Sequence, residues 1–187
     1  MSFQQRICRK TSGSKKVNLS VQIPVSCCNN FKYCEGNYVS NLFTYLINKG
    51  TVPETCVPYV AGSGRTLSCP SSCTGSGSWT VYKATRQSRP NGASAMKNAL
   101  YSNGPIAVCF TVYSDFMSYK SGIYKHVSGS RQGGHAIVLL GYGVENGVNY
   151  WICQNSWGPR WGEQGYFRIK MGQCAIDSAT YGGEPIL

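Results

Sequence analysis

Ten cysteines fall in a chain of 187 residues, seven of them before residue 74. Such a load marks chains that fold in an oxidising compartment, where cross-links supplement a modest core. A zinc framework is the competing use of so many thiols. It needs histidine partners or paired C-x2-C knuckles. Only two histidines occur, His126 and His135, and neither the C-C-x5-C spacing at 27–34 nor the C-x3-C spacing at 69–73 supplies a knuckle pair. No metal and no cofactor are expected. The opening residues M-S-F-Q-Q-R-I-C-R-K lack the apolar stretch of a signal peptide. No run approaches the ~18 apolar residues of a membrane span, so no membrane partner is expected. An export-type cysteine pattern without an export signal suggests a piece of a longer product.

Hydrophobic residues make up 42% of the chain, enough for a packed core. With 22 glycines and 13 tyrosines, turns and short strands are favoured over a helical bundle. The net charge of +11 raises nucleic acid as a partner. The basic residues, however, are spread from Arg6 to Lys170, and the densest group, Arg9, Lys10, Lys15 and Lys16, is broken by T-S-G-S. No groove-entering motif or aromatic platform accompanies them, so no nucleic acid is expected. The charge reads as a solvated basic surface with some affinity for anions.

Arg9 and Lys10 followed by T-S-G suit the end of a helix over residues 1–10. Residues 17–24, V-N-L-S-V-Q-I-P, alternate weakly and read as extended. Val39, Leu42, Phe43 and Leu46 recur at helical spacing, with Gly50 as the stop. Residues 53–78, rich in Pro, Ser, Gly and Cys, read as a stapled loop region. A short helix over 94–101 ends at N-G-P. Strand-like runs follow at 106–113, 135–144, 150–154 and 165–170, and E-N-G-V at 145–148 is a hairpin turn signal. The chain thus divides near residue 84, into a helical, cysteine-rich part (1–84) and a β-rich part (85–187).

G-G-H at 133–135 places a histidine at the opening of an apolar strand, after two glycines that let a ligand or another backbone approach. N-S-W-G at 155–158 lies at the end of the next strand. If the hairpin pairs these strands, His135 and Asn155 meet. The amide oxygen then accepts the imidazole N–H, fixes the tautomer and turns the other ring nitrogen outward. Trp157 is placed to cover that bond. A purely structural histidine is the alternative for an isolated G-G-H; N-S-W-G at this distance weighs against it.

At these residues the sequence resembles the papain-like cysteine proteases, and among them the cathepsin B-like enzymes. The matching stretches are R-I-C at 6–8, C-C at 27–28, C-E-G-N-Y at 34–38, C-V-P-Y at 56–59, N-G-P at 103–105, V-Y-S-D-F at 112–116 and Y-K-S-G-I-Y at 119–124. They continue with G-G-H-A at 133–136, L-G-Y-G-V-E-N-G at 140–147, Y-W at 150–151, N-S-W-G at 155–158, W-G at 161–162 and G-Y-F at 165–167. The resemblance implies an α+β, two-lobe fold with a helical left lobe, truncated here, and an antiparallel β-barrel right lobe. It implies a peptidase acting on peptide or protein substrates, with His135 as base and Asn155 as its orienting amide. It also implies a monomer in a lysosomal or endosomal vesicle, or secreted.

The family nucleophile lies in a C-G-S-C-W stretch near the mature N-terminus; no such stretch occurs here. Cys8 matches a position roughly a dozen residues past it, about 18 Å away along a helix. The resemblance therefore places the nucleophile and its oxyanion glutamine ahead of Met1. Cys153, in apolar surroundings, and Cys109, with no helix N-terminus to activate it, are poor substitutes.

By the same matching, the substrate-binding residues are Gly36, Asn37, Cys109, Gly134, Ala136, Trp157 and Ala179. A family glycine pair is Gly36-Asn37 here, a narrowing unless Asn37 adopts a left-handed turn conformation. Cys109, Ala136 and Ala179 imply a small-walled, apolar S2 pocket without a preference for basic P2 side chains. The occluding loop of cathepsin B is reduced to the histidine-free stretch between Cys56 and Cys69, implying an endopeptidase. The implied disulfides are Cys27–Cys69 and Cys56–Cys73. Cys8 and Cys34 match residues whose partners are missing, Cys28–Cys34 remains an option, and Cys109, Cys153 and Cys174 are expected as free, buried thiols. N-L-S at 18–20 is a glycosylation sequon if the chain enters the secretory route. The competing function is a non-catalytic peptide-binding module in the same cleft.

Overall fold

The computed structural model describes residues 1–28, 36–64 and 67–187. Two compact units emerge, one of Met1, Phe3–Gln87 and Gly183–Leu187, the other of Ser2 and Ser88–Gly182.

The first unit is helical and cross-linked. Helix α1 (Ser2–Lys10) buries Phe3 and Ile7 and carries Arg9 and Lys10 in its last turn, where cations complement the exposed carbonyls. Arg6, only 1% exposed, donates from Nη1 to Glu184 Oε1 at 2.6 Å. A charge this deep is tolerated because a carboxylate answers it. Residues 17–24 differ from the extended expectation. Leu19 forms a bridge with Pro53, but Gln22–Cys27 is a helix, α2. Pro24 sits in its first turn, where its missing N–H costs nothing. The Ser20 hydroxyl accepts the Ile23 N–H, and Gln22, fully buried, receives the N–H groups of Val60 and Ala61. Tertiary partners thus outweigh a weak alternation.

Helix α3 (Val39–Asn48) lies where the periodicity predicts, with Phe43 and Leu46 buried. Gly50 follows at φ +80°, and a Cβ there would meet Tyr82 O at 2.6 Å, so only glycine fits. Ile23, Val52, Cys56 and Val57 form a small core with Cys27, Tyr45 and Cys73 packed against it. Two disulfides staple this region, Cys27–Cys69 and Cys56–Cys73. Cys28 is a free, buried thiol, so the Cys28–Cys34 option is not taken; Cys34 itself lies outside the described residues. Strand β1 (Ala84–Ser88), absent from the sequence reading, joins the unit through Thr85, whose hydroxyl donates to Glu184 O.

The second unit opens with helix α4 (Ala93–Asn103) and strand β2 (Ile106–Tyr113). A one-turn helix, α5 (Ser114–Met117), and the short strand β3 (Ile123–Tyr124) follow. Then come β4 (Arg131–Glu145), β5 (Val148–Gln154), β6 (Tyr166–Lys170) and β7 (Ala179–Pro185), whose last three residues belong to the first unit. The expected antiparallel-rich sheet of this unit runs in the order β7-β2-β4-β5-β6-β3. Its pairs are antiparallel except β3 with β6. Strand β4 begins at Arg131, so His135 stands within the strand and not at its opening. At the β4–β5 hairpin Asn146 (φ 50°) and Gly147 (φ 75°) are both left-handed, the two-residue turn that matches strand twist.

Alternation along β2 is strict. Ile106, Val108, Phe110 and Val112 face a core shared with Leu139, Trp151, Phe167 and Ile169. Ala107, Cys109, Thr111 and Tyr113 take the other, partly exposed face.

Candidate active site

His135 pairs across the ladder with Phe110, and the two rings lie 5.9 Å apart. Asn155 follows directly on β5, whose Gln154 pairs with Val138 of β4. The antiparallel register therefore brings two side chains twenty positions apart to one place. His135 Nε2 lies 2.8 Å from Asn155 Oδ1. The same Oδ1 accepts the backbone N–H of Ser156 at 2.8 Å. A backbone N–H only donates, so the shared atom must be oxygen, and the imidazole must donate to it from Nε2. In the neutral ring the lone pair is then on Nδ1, free to take a proton. Asn155 is 5% exposed, and its own N–H donates to Gly165 O at 2.9 Å. The backbone of Asn155 is thus pinned to Gly165, and its side-chain oxygen is held by two donors, His135 Nε2 and Ser156 N–H.

Trp157 stacks on the His135 ring at 5.0 Å between centroids and 27° between planes. Behind it stand Phe116, edge-on at 5.6 Å, and Trp161, edge-on at 5.0 Å. The loop carrying both tryptophans is shaped by left-handed glycines at 158, 162 and 165. Gly165 N–H donates to Trp161 O, and the Trp161 indole N–H to Met117 O. At Gly162 a Cβ would lie 2.6 Å from Tyr166 O, so the loop admits no side chain there. An aromatic lid of this kind keeps water off the imidazole–amide bond and strengthens it.

The expected pocket residues of the second unit form one row. Cys109 pairs with Ala136 on one side and with Ala179 on the other, and paired residues share a face. The row is small-walled, and its middle thiol is pushed up in pKa by burial. Cys109 and Cys174 are only partly buried, a correction to the expectation of buried thiols; Cys153 is fully buried, and burial raises its pKa well above that of a free thiol. Gly134 is exposed, and a Cβ on it would meet nothing within 4 Å. Gly36 and Asn37 belong to the first unit. The left-handed residue is Gly36 (φ 87°), not Asn37. Asn37 accepts the Tyr38 N–H and the Asn41 amide at the start of α3 instead. No cysteine among the described residues is hydrogen-bonded to His135, and no group of three or more His, Cys, Asp or Glu among them converges as metal ligands.

One cluster escaped the sequence reading, although Asp115 and Tyr124 lie in the V-Y-S-D-F and Y-K-S-G-I-Y stretches. Asp115 accepts from Tyr124 Oη (2.7 Å), from the N–H groups of Val127 and Ser128, and from His126 Nδ1 (3.2 Å). Burial works against its charge, but these donors outweigh burial and hold the carboxyl well below the usual carboxylate range. His126 stacks on Tyr113 at 3.7 Å. A lone Asp ahead of Phe carries no sequence signal for such a staple.

Comparison with known proteins places these features. The profile of "Papain family cysteine protease" matches residues 1–183. The chain is 43% identical over 97% of its length to "Cathepsin B-like CP2" of Giardia intestinalis, of which it covers 63%. It is 36% identical to "Gut-specific cysteine proteinase" of Caenorhabditis elegans, covering 62% of that protein. Among solved structures, "proCathepsin B S9 from Trypanosoma congolense" superposes with a TM-score of 0.90 at 31% identity, over 98% of this chain and 65% of that one. The chain therefore spans a little under two thirds of the length of these relatives.

Proposed function

The chain belongs to the papain family of cysteine proteases, and from that premise we propose that His135 and Asn155 are the base and orienting amide of a cysteine-type peptidase acting on peptide or protein substrates. The observation that carries this reading is the 2.8 Å bond from His135 Nε2 to an oxygen that Ser156 N–H identifies. A ring anchored this way presents Nδ1 to a thiol. It takes the thiol proton, the thiolate attacks a peptide carbonyl, and the imidazolium returns the proton to the departing amine. Asn155 Oδ1 stabilises the imidazolium while its partner nitrogen works.

The thiol is not among these 187 residues. No C-G-S-C-W stretch occurs, and burial raises the pKa of both Cys109 and Cys153. The isolated chain is therefore inactive, and the reaction needs a thiolate from residues beyond it. The row of Cys109, Ala136 and Ala179 supports a small apolar S2 pocket, with Gly134 and Trp157 of the same unit bordering the substrate path. The short stretch between Cys56 and Cys69, without histidine, supports endopeptidase behaviour. Two disulfides support an oxidising compartment, lysosomal, endosomal or extracellular. No described helix is long and apolar enough to cross a membrane. The same row supports the second reading, a non-catalytic peptide-binding module.

The test is reaction of the 187-residue chain with a thiol-directed epoxide inhibitor and with peptide substrates. Neither adduct nor cleavage is expected. Joining a segment that bears the family's nucleophile stretch should restore turnover, and His135→Ala should then lower it roughly 10²–10⁴-fold. Thiol-dependent turnover by the unaltered chain contradicts the incompleteness. A restored segment that binds peptides but cuts none favours the binding module.

A further inference from the structure

We propose that Asn18 is an N-glycosylation site and that its first N-acetylglucosamine seats in a groove beside it. The proposal rests on the reading that the chain enters the secretory route. The acceptor sequence is Asn18-Leu19-Ser20. Asn18 is exposed in the segment between α1 and α2. Its backbone is fixed by Glu54 N–H, which donates to Asn18 O at 2.8 Å. Its side-chain oxygen receives only a long 3.4 Å bond from Gln4, and its Nδ2 makes no hydrogen bond to the described residues. The atom that would carry a sugar therefore points into solvent from a rigid base.

The ground next to it suits a sugar. A groove of about 310 Å³ is lined by Gln4, Asn18, Leu19, Val21, Glu54 and Tyr59. Tyr59 is 49% exposed and Val21 50%. An exposed aromatic ring offers a flat apolar face for the C–H face of a pyranose. Gln4 and Glu54 supply a donor and acceptors for its acetamido and hydroxyl groups. Glu54 already accepts the Tyr59 backbone N–H with Oε1, which ties the two residues together at the main chain, and its second oxygen remains for a sugar hydroxyl.

Timing follows from Ser20. Its hydroxyl is buried, donating to Val57 O at 2.6 Å and accepting the Ile23 N–H. A transferase that needs this hydroxyl must act before the segment folds. The donor is a polyprenyl-diphosphate-linked oligosaccharide. Asn18 Nδ2 bonds to C1 of its reducing-end N-acetylglucosamine, the C1–O bond breaks, the diphosphate leaves with the electron pair, and Nδ2 releases one proton.

The experiment is secretion of the 187-residue chain from a eukaryotic host and mass analysis of the tryptic peptide between Lys16 and Lys32. A glycan on Asn18, abolished by Asn18→Gln, is expected; secreted protein bare at Asn18 overturns the site. The seat is tested by melting. An endoglycosidase that leaves the first sugar should leave Tm unchanged, whereas an amidase that removes it should lower Tm below that of the trimmed protein and level with Asn18→Asp. Tyr59→Ala should erase that difference. Equal Tm with the first sugar kept or removed overturns the seat. No peptidase assay enters, so failure here and failure of the proposed function are distinguishable.

Discussion

Among single residues, Asp115 contributes most visibly outside the candidate site. Four donors converge on it, so a neutral substitute loses charge-assisted bonds while keeping the shape. Asp115→Asn should destabilise the chain by about 2 kcal/mol at pH 7, read by urea denaturation. The sign with pH follows from its depressed pKa. An unfolded Asp titrates near ~3.9, and the folded carboxyl titrates lower. Its contribution is complete above the unfolded value and is lost as pH falls below about 4 toward the folded one. The gap between parent and variant should therefore shrink at pH 3. A gap independent of pH contradicts the ionised staple. At this scale the sequence says much about the site and little about its supports. G-G-H and N-S-W-G announce the His135–Asn155 contact because strand pairing and hairpin length fix where they fall. The Arg6–Glu184 pair and the Asp115 cluster join residues whose proximity depends on the finished fold, and no local pattern encodes them.

At the scale of elements, the legible ones are those whose periodicity agrees with their burial. Helix α3 and strands β2, β4 and β5 are of this kind. Helix α2 was hidden because six residues with a proline show no repeat, and buried Gln22 decides their conformation. Strand β7, A-T-Y-G-G-E-P, was hidden by its glycines. Gly183 is there because a Cβ would lie 2.7 Å from the Phe43 ring, a packing reason rather than a turn. The loop of residues 156–165 is the element on which the aromatic lid depends. Gly162→Ala should cost about 2 kcal/mol or more, since a left-handed alanine is strained and its Cβ meets Tyr166 O. Denaturant titration reads the cost, and a red shift of tryptophan emission should report exposure of Trp157 and Trp161. Unchanged stability and emission contradict the role given to this glycine.

At the scale of the molecule, the two units are stabilised differently. The first carries two cross-links around Ile23, Val52, Cys56 and Val57, while the second is built on a sheet whose core holds no disulfide among the described residues. Closing loops with sequence separations of 42 and 17 residues should contribute about 4 and about 3 kcal/mol respectively through the unfolded chain. Denaturation of Cys27→Ser and Cys56→Ser should reproduce that order. Reduction of both bridges should accelerate amide hydrogen exchange in α2 and α3 while β2, β4 and β5 stay protected. Uniform loss of protection across both units contradicts separate stabilisation.

The central claim is that Asn155 holds His135 with its proton on Nε2 and its lone pair on Nδ1. The direct measurement is ¹⁵N NMR of the His135 ring at a pH where it is neutral. The account predicts a protonated Nε2 and a bare Nδ1, with the preference lost in Asn155→Ala. A ring protonated on Nδ1, or one indifferent to the asparagine, contradicts it.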